Sequence, residues 1–158
     1  METINRIASF EVDHRLISPG IYISRVDGDV TTYDLRTRKP NCGDYMDNCT
    51  MHSVEYLFAT FVRNSEIGSD VLYFGPMGCQ TGFYLLVKNA CHDTARRVVI
   101  KILEQIINYD GKMFGESEIE CGNYKNLSVE KAKVDCRRYL DALKNDNNNF
   151  LYPKEEEK

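Results

Sequence analysis

The most constraining feature of this sequence is the stretch from Thr50 to Phe61, which has helical spacing and apolar side chains on most sides. Such a helix must be covered by other elements, so it predicts a buried helix around which the fold is built. Residues at positions i, i+3 and i+4 share a helix face, which places His52, Glu55 and Tyr56 together. A His-x-x-Glu-His helix would carry two metal-binding imidazoles and a carboxylate for proton transfer. Here tyrosine occupies the second histidine position.

Four strands are predicted around this helix. Each is a short run rich in β-branched and aromatic residues, and the four runs cover residues 20–25, 29–36, 70–74 and 82–88. The Asp27-Gly28 pair between the first two runs is a strong hairpin signal. The glycine-flanked turn around Cys79 joins the last two.

Three helices complete the prediction. The first begins with Asp47 or Asn48 as its cap and ends near Asn64, and two more cover residues 94–109 and 128–143. The order β-β-α-β-β-α-α is typical of an α+β fold with a four-stranded antiparallel sheet flanked by helices. We expect one domain over residues 1–144 and a polar C-terminal tail over residues 145–158 that frays.

Composition excludes several classes of partner. The net charge of −4, with no basic block, argues against nucleic acid, and no apolar run is long enough to span a membrane. The N-terminal residues lack the apolar segment of a signal peptide, which predicts a cytoplasmic protein. The six cysteines include no Cys-x-x-Cys pair, so a metal site must take its ligands from distant segments.

The strongest chemical candidates are His52 with Glu55, and Cys79. Burying an unpaired carboxylate is costly, so Glu55 is expected to face a cavity, a partner or a metal. Beside a metal-bound imidazole it would supply a base next to a Lewis acid. The alternative is that His52 and Glu55 are ordinary polar residues on a helix. Cys79 is either an exposed, reactive thiol or a small residue that fits a tight turn.

Three further residues are weaker candidates when each is considered alone. Cys121, flanked by polar residues, is either a thiolate ligand that joins His52 or a structural cysteine. His14 is either an acid or base or a surface residue. Arg36, at a strand end, either binds an anionic or hydroxylated substrate or forms a surface ion pair. His92, near a helix start, is predicted to be solvated.

Five separated segments together resemble the S-ribosylhomocysteine lyase (LuxS) family. Ser9 to His14 is similar to the family's Ser-Phe-x-Val-Asp-His, and Asp34-Leu-Arg36 is similar to its Asp-Leu-Arg. His52-x-x-Glu55 follows the family's ligand helix. The blocks Pro76-Met-Gly-Cys-Gln-Thr-Gly-Phe-Tyr84 and Glu120-Cys-Gly-Asn-Tyr124 resemble two others, in the same order along the chain.

The resemblance implies a cytoplasmic homodimer with two active sites at the subunit interface. It implies Fe²⁺ as the metal, with Zn²⁺ or Co²⁺ as substitutes. Carried over residue by residue, His52 and Cys121 are the metal ligands, and Tyr56 stands where the second ligand histidine would be. Cys79 and Glu55 take the catalytic acid–base roles.

The implied substrate is the small molecule S-ribosylhomocysteine. Ser9, His14 and Arg36 resemble residues that contact its ribose. The implied reaction moves the sugar carbonyl by proton transfers and then releases homocysteine by β-elimination. The other product is the precursor of autoinducer-2, a quorum-sensing signal.

Two departures from the family pattern leave a second function open. One is Tyr56, and the other is Tyr73-Phe74-Gly75, where the family tends to have an Asp and a Ser that hold the homocysteine part of the substrate. The alternative is a non-catalytic or altered-specificity dimer that binds a related sugar-thioether. Retention of both Cys79 and Glu55 favours the lyase.

Overall fold

A computed structural model of the chain, which describes residues 1–156, has the predicted order of four strands and three helices. The strands are β1 (Gly20–Asp27), β2 (Val30–Arg36), β3 (Val71–Pro76) and β4 (Gly82–Lys88). The helices are α1 (Asn48–Arg63), α2 (His92–Ile107) and α3 (Val129–Leu143). None of these helices combines the length and the apolar character needed to cross a membrane.

The sheet is antiparallel throughout, in the order β1-β2-β4-β3, so the α+β prediction is confirmed. The hairpin between β1 and β2 turns at Gly28, whose φ of +61° favours glycine. The turn between β3 and β4 carries Cys79 and lies at the same end of the sheet as the end of β2, because Arg36 pairs with Gly82. The sheet therefore sets Arg36 and Cys79 close together.

Helix α1 is buried as predicted, with its apolar face against β3 and the other two helices. Its Phe58 ring stacks on Phe74 of β3 at 4.3 Å between centroids, and Phe74 stacks on Phe83 of β4 at 5.1 Å. Offset aromatic pairs of this kind add to the free energy gained from burying apolar area. The stack fixes the position of α1 relative to the sheet.

Local capping signals set where α1 and α3 begin. The Asp47 carboxylate accepts a hydrogen bond from the Thr50 backbone N–H at 2.7 Å, and the Ser128 hydroxyl accepts one from the Lys131 N–H at 3.2 Å. The Asp47 cap is one of the two that the sequence predicts for α1. Lys131 also pairs with Asp47 at 2.9 Å, which links the two helix starts.

The expectation that the tail frays is wrong for its central residues. Phe150 is buried, and its carbonyl accepts a hydrogen bond from the Ile23 N–H of β1 at 2.8 Å. The Tyr152 ring stacks on Tyr22 at 4.9 Å. Two aromatic residues in a polar segment are enough to dock it, because each buries a large apolar area. The division into a domain and a tail at residues 144 and 145 remains a prediction.

The prediction of a solvated His92 is also wrong. His92 is half-buried at the start of α2, and its Nδ1 forms a 2.6 Å hydrogen bond with the Tyr33 hydroxyl of β2. Its ring also lies against Phe150. Position near a helix start suggested solvent, but the docked tail covers this helix end.

Candidate functional site

Helix α1 presents His52, Glu55 and Tyr56 on one half-buried face, as their spacing requires. The His52 and Tyr56 rings meet edge to face, with centroids 4.6 Å apart. This face points toward the loop between α2 and α3, which carries Cys121.

Cys121 is buried beside His52, with its Sγ 3.4 Å from the His52 Nε2. On the other side of the ring, His52 Nδ1 lies 3.0 Å from the Asn126 carbonyl oxygen. A carbonyl can only accept, so Nδ1 carries the proton, and Nε2 is the ring nitrogen that faces the sulfur and could bind a metal. The Asn123 backbone N–H donates to the same sulfur at 3.3 Å, which complements negative charge there.

The Tyr56 hydroxyl group completes this cluster. The neighbouring Cys121 thiol is the main cause that raises the pKa of Tyr56 to about 12, and partial burial and the Glu55 charge add to it. The ring packs directly over Gly115, whose φ is +69°. A Cβ at Gly115 would lie 2.6 Å from the Tyr56 Cε2, so this backbone can approach the ring only because it is glycine.

Glu55 adds a carboxylate in a partly desolvated setting. Burial raises the pKa of Glu55 above its ordinary value, and the nearby His52 partly opposes that rise. A carboxylate perturbed by desolvation beside an imidazole is typical of a functional site.

His52 and Cys121 place two potential ligand atoms at a spacing that fits a divalent metal ion. Metal–sulfur and metal–nitrogen bonds of about 2.3 and 2.1 Å at a tetrahedral angle separate the two ligand atoms by about 3.6 Å. The His52–Cys121 separation is close to this value. The Asn126 carbonyl supplies the usual outer partner of a ligating histidine. Among residues 1–156, no group of three or more His, Cys, Asp or Glu side chains is placed to hold a metal ion, so another donor is needed, and Tyr56 and water are the candidates.

A second cluster lies at the end of the sheet. Cys79, Arg36 and His14 line one open cavity of about 300 Å³, together with Pro40, Asn41, Tyr45, Gly78, Gln80 and Thr81. Cys79 is exposed, and its Sγ is 3.0 Å from the Thr81 hydroxyl and 3.9 Å from the Arg36 Nη1. His14 is held by a 2.9 Å hydrogen bond between its Nδ1 and the Val12 carbonyl. A thiol, a guanidinium and an imidazole therefore face the same space.

Arg36 is fixed by residues that sequence reasoning missed. It forms a buried, two-point ion pair with Asp34, at 3.1 Å through Nε and 2.6 Å through Nη2. Its Nη1 donates to Thr81 at 2.8 Å. The sequence motif contains Asp34 but does not by itself indicate a role for it. Its position two residues before Arg36, on the same face of β2, was the signal that could have identified the pair.

Ser9 stands apart from both clusters. It is half-buried in a 3₁₀ turn at Ala8–Phe10, and it is not among the residues that line the cavity with His14. The described contacts of this chain bring His52, Tyr56 and Cys121 together in one place and His14, Arg36 and Cys79 in another. No hydrogen bond among residues 1–156 joins the two clusters directly.

Comparison with known proteins gives a consistent result. A sequence model of the family described as S-Ribosylhomocysteinase (LuxS) matches residues 7–150. The S-ribosylhomocysteine lyase of Finegoldia magna is 40% identical over 156 residues, covering 95% of this chain and 99% of that protein. The S-ribosylhomocysteine lyase of Borrelia garinii is 37% identical over 157 residues, covering 95% and 100%. That of Clostridium beijerinckii is 37% identical over 161 residues, covering 95% and 99%.

Proposed function

The chain belongs to the S-ribosylhomocysteinase (LuxS) family, and on that basis we propose that it cleaves S-ribosylhomocysteine to homocysteine and the autoinducer-2 precursor. The observation that carries this proposal is the match over residues 7–150, which contains both side-chain clusters. It is a carbon–sulfur lyase in which the carbonyl migrates along the sugar before β-elimination.

The family implies a divalent metal cofactor, and the side chains that would hold it are His52 and Cys121. Their separation and the proton on His52 Nδ1 both support this assignment. We propose Fe²⁺, with Zn²⁺ or Co²⁺ as substitutes. When bound, the ion supplies a Lewis acid that polarises the sugar carbonyl. Tyr56 is the candidate third ligand, and its raised pKa makes it a weaker one than an imidazole.

Glu55 and Cys79 are proposed to move the protons. Glu55 lies beside His52, where burial favours proton uptake by its carboxylate. Cys79 is exposed in the cavity, with the Arg36 Nη1 3.9 Å from its sulfur, so its thiol group can reach a bound sugar and exchange a proton with carbon.

We propose that Arg36, His14 and Ser9 bind the ribose. The Nε and Nη2 atoms of Arg36 donate hydrogen bonds to Asp34, so Nη1 is the nitrogen that faces the cavity. Guanidinium and imidazole groups can both hydrogen-bond sugar hydroxyls.

A homodimer would unite the two clusters. Cys79 and the His52–Cys121 pair occupy separate places in one chain, so a second copy would supply the missing half of each site. We propose that the enzyme works in the cytoplasm, where its six free cysteines remain reduced. Light scattering checks the dimer: a monomer at high protein concentration would contradict the shared site.

Anaerobic purification with metal analysis tests the proposal, together with a homocysteine-release assay. Cys121→Ala is expected to abolish metal binding, whereas Cys136→Ala, at another buried cysteine, should retain it. Tyr56→His should raise metal occupancy, because a neutral imidazole replaces a phenol that is protonated at neutral pH.

Two outcomes would contradict parts of this proposal. A protein that carries no metal and releases no homocysteine would favour the non-catalytic, ligand-binding dimer. Unchanged metal occupancy in Tyr56→His would show that residue 56 does not face the metal.

A further inference from the structure

The docked C-terminal segment reaches the buried ion pair behind the cavity. After Phe150 joins β1, the chain brings the Tyr152 ring onto Tyr22, with the two ring planes 10° apart. From there the Tyr152 hydroxyl donates to the Asp34 Oδ2 at 2.7 Å. Burial and the Asp34 carboxylate both raise the pKa of Tyr152, so the phenol stays protonated and remains a donor.

The buried charge of Asp34 is compensated by only two neighbouring side chains among the described residues. It is fully buried, and its hydrogen bonds come from Arg36 and Tyr152. The Arg36 Nη2 and the Tyr152 hydroxyl share Oδ2, while the Arg36 Nε takes Oδ1. The carboxylate is therefore held from two directions, by a strand residue and by the tail.

The same carboxylate sets the direction of the Arg36 guanidinium. Because Nε and Nη2 are fixed on Asp34, Nη1 points to Thr81 at 2.8 Å and to the Cys79 sulfur at 3.9 Å. A guanidinium is planar and rigid, so any rotation of the carboxylate moves Nη1 as well. Tyr152 is thus connected to the Cys79 thiol through two buried groups.

We propose that Tyr152 is a positioning residue for the catalytic cavity: its hydroxyl orients Asp34, which aims Arg36 at Cys79 and at the substrate. This inference rests on the proposed function only for the roles of Arg36 and Cys79. The C-terminal segment would then contribute to the site, although it lies far from the cavity residues in sequence.

The test compares Tyr152→Phe with Tyr22→Phe. The first variant keeps the stacked ring and removes the donor to Asp34. The second removes a buried hydroxyl from the same ring pair, one that donates to the Ser18 carbonyl and leaves Asp34 untouched. Both variants retain the aromatic stack, so both are expected to fold.

The first measurement is the rate of alkylation of Cys79 by iodoacetamide, followed by peptide mass spectrometry. Tyr152→Phe should slow this reaction about 3-fold, because reactive cysteines lie in electropositive surroundings and the Arg36 Nη1 would no longer be held 3.9 Å from the Cys79 sulfur. Cys91 is exposed, lies outside the cavity and serves as the internal reference, so its rate should not change. Tyr22→Phe should leave both rates unchanged.

The second measurement is steady-state cleavage of S-ribosylhomocysteine. Tyr152→Phe should raise KM by about 3- to 10-fold, which is less than the full free energy of a hydrogen bond to a buried charge, because Tyr152 acts on the substrate only through Asp34 and Arg36. The value of kcat should fall by no more than the alkylation rate of Cys79, about 3-fold, because Arg36 lies beside that thiol but does not itself transfer protons.

Two results would overturn the proposal. One is an unchanged Cys79 rate in Tyr152→Phe, and the other is a Tyr152→Phe protein that fails to fold while Tyr22→Phe folds, since that would make the hydroxyl structural. Alkylation requires no lyase activity. An inactive wild-type enzyme would therefore refute the proposed function, and the alkylation comparison would still decide the role of Tyr152.

Discussion

Replacement of Gly115 by alanine should measure how closely the Tyr56 ring packs against the backbone at residue 115. Gly115 has a φ of +69°, and an alanine forced into this left-handed region costs about 1–2 kcal/mol. The added Cβ would also lie 2.6 Å from Cε2 and 2.9 Å from Cδ2 of Tyr56. Overpacking of this kind costs about 1–3 kcal/mol. Gly115→Ala should therefore lower the free energy of unfolding by about 2–5 kcal/mol.

The two contributions separate in a double-mutant cycle. In a Tyr56→Ala background the ring is gone, so Gly115→Ala should cost only the backbone part, about 1–2 kcal/mol. The coupling between the two positions should then be about 1–3 kcal/mol. Urea unfolding of all four proteins gives these values, with a chelator present so that metal binding does not add to stability.

Gly43→Ala is the matched control. Gly43 has a φ of +75°, and a Cβ there would meet no atom within 4 Å. Gly43→Ala should lower the free energy of unfolding by about 1–2 kcal/mol whether residue 56 is Tyr or Ala, because only the backbone conformation is strained. If Gly115→Ala and Gly43→Ala cost the same whether or not Tyr56 is present, the ring does not rest on Gly115 and our account of the site is wrong.

Two other predictions concern the elements that carry the site. The hydrogen bond that caps α1 and the pairing with Lys131 lower the pKa of Asp47 from the ordinary 3.8 to about 2. The ionised carboxylate therefore stabilises the folded protein above about pH 4, and this contribution is lost as the pH falls through about 2. Asp47→Asn keeps the cap and should flatten the dependence of the melting temperature on pH in this window; an unchanged slope would contradict the assignment. Arg36→Met leaves Asp34 buried without its cation and should lower the free energy of unfolding in urea by about 3–5 kcal/mol, whereas a loss under about 1 kcal/mol would show that the pair is not buried.

Local signals predicted the framework of the site well. The first residue of α1 follows from the Asp47 cap, and the shared face of His52, Glu55 and Tyr56 follows from helical spacing. These features depend on residues within one or two turns of each other, so the sequence around them contains the necessary information.

Contacts between distant segments could not be predicted in the same way. The Asn126 carbonyl that fixes the His52 tautomer lies 74 positions away, and Tyr152 lies 118 positions from Asp34. A backbone carbonyl has no signature in the sequence, and the polar composition around Tyr152 suggested a frayed tail. Gly115 gave no signal either, because its role depends on which side chain packs against it in the fold.

The two departures from the family pattern differ in how they are accommodated. Tyr73 also lies over a glycine, Gly75, but it is half-exposed and would meet a new Cβ with its hydroxyl end, which can swing into solvent. Tyr56 meets Gly115 with the edge of its ring, and His52 packs against the same ring, so it has no room to move. A substitution at Tyr73 should therefore leave the packing of the protein largely unchanged. A substitution at Tyr56 should alter the packing of the protein and the metal site together, which is why Tyr56→His must be judged by unfolding as well as by metal content.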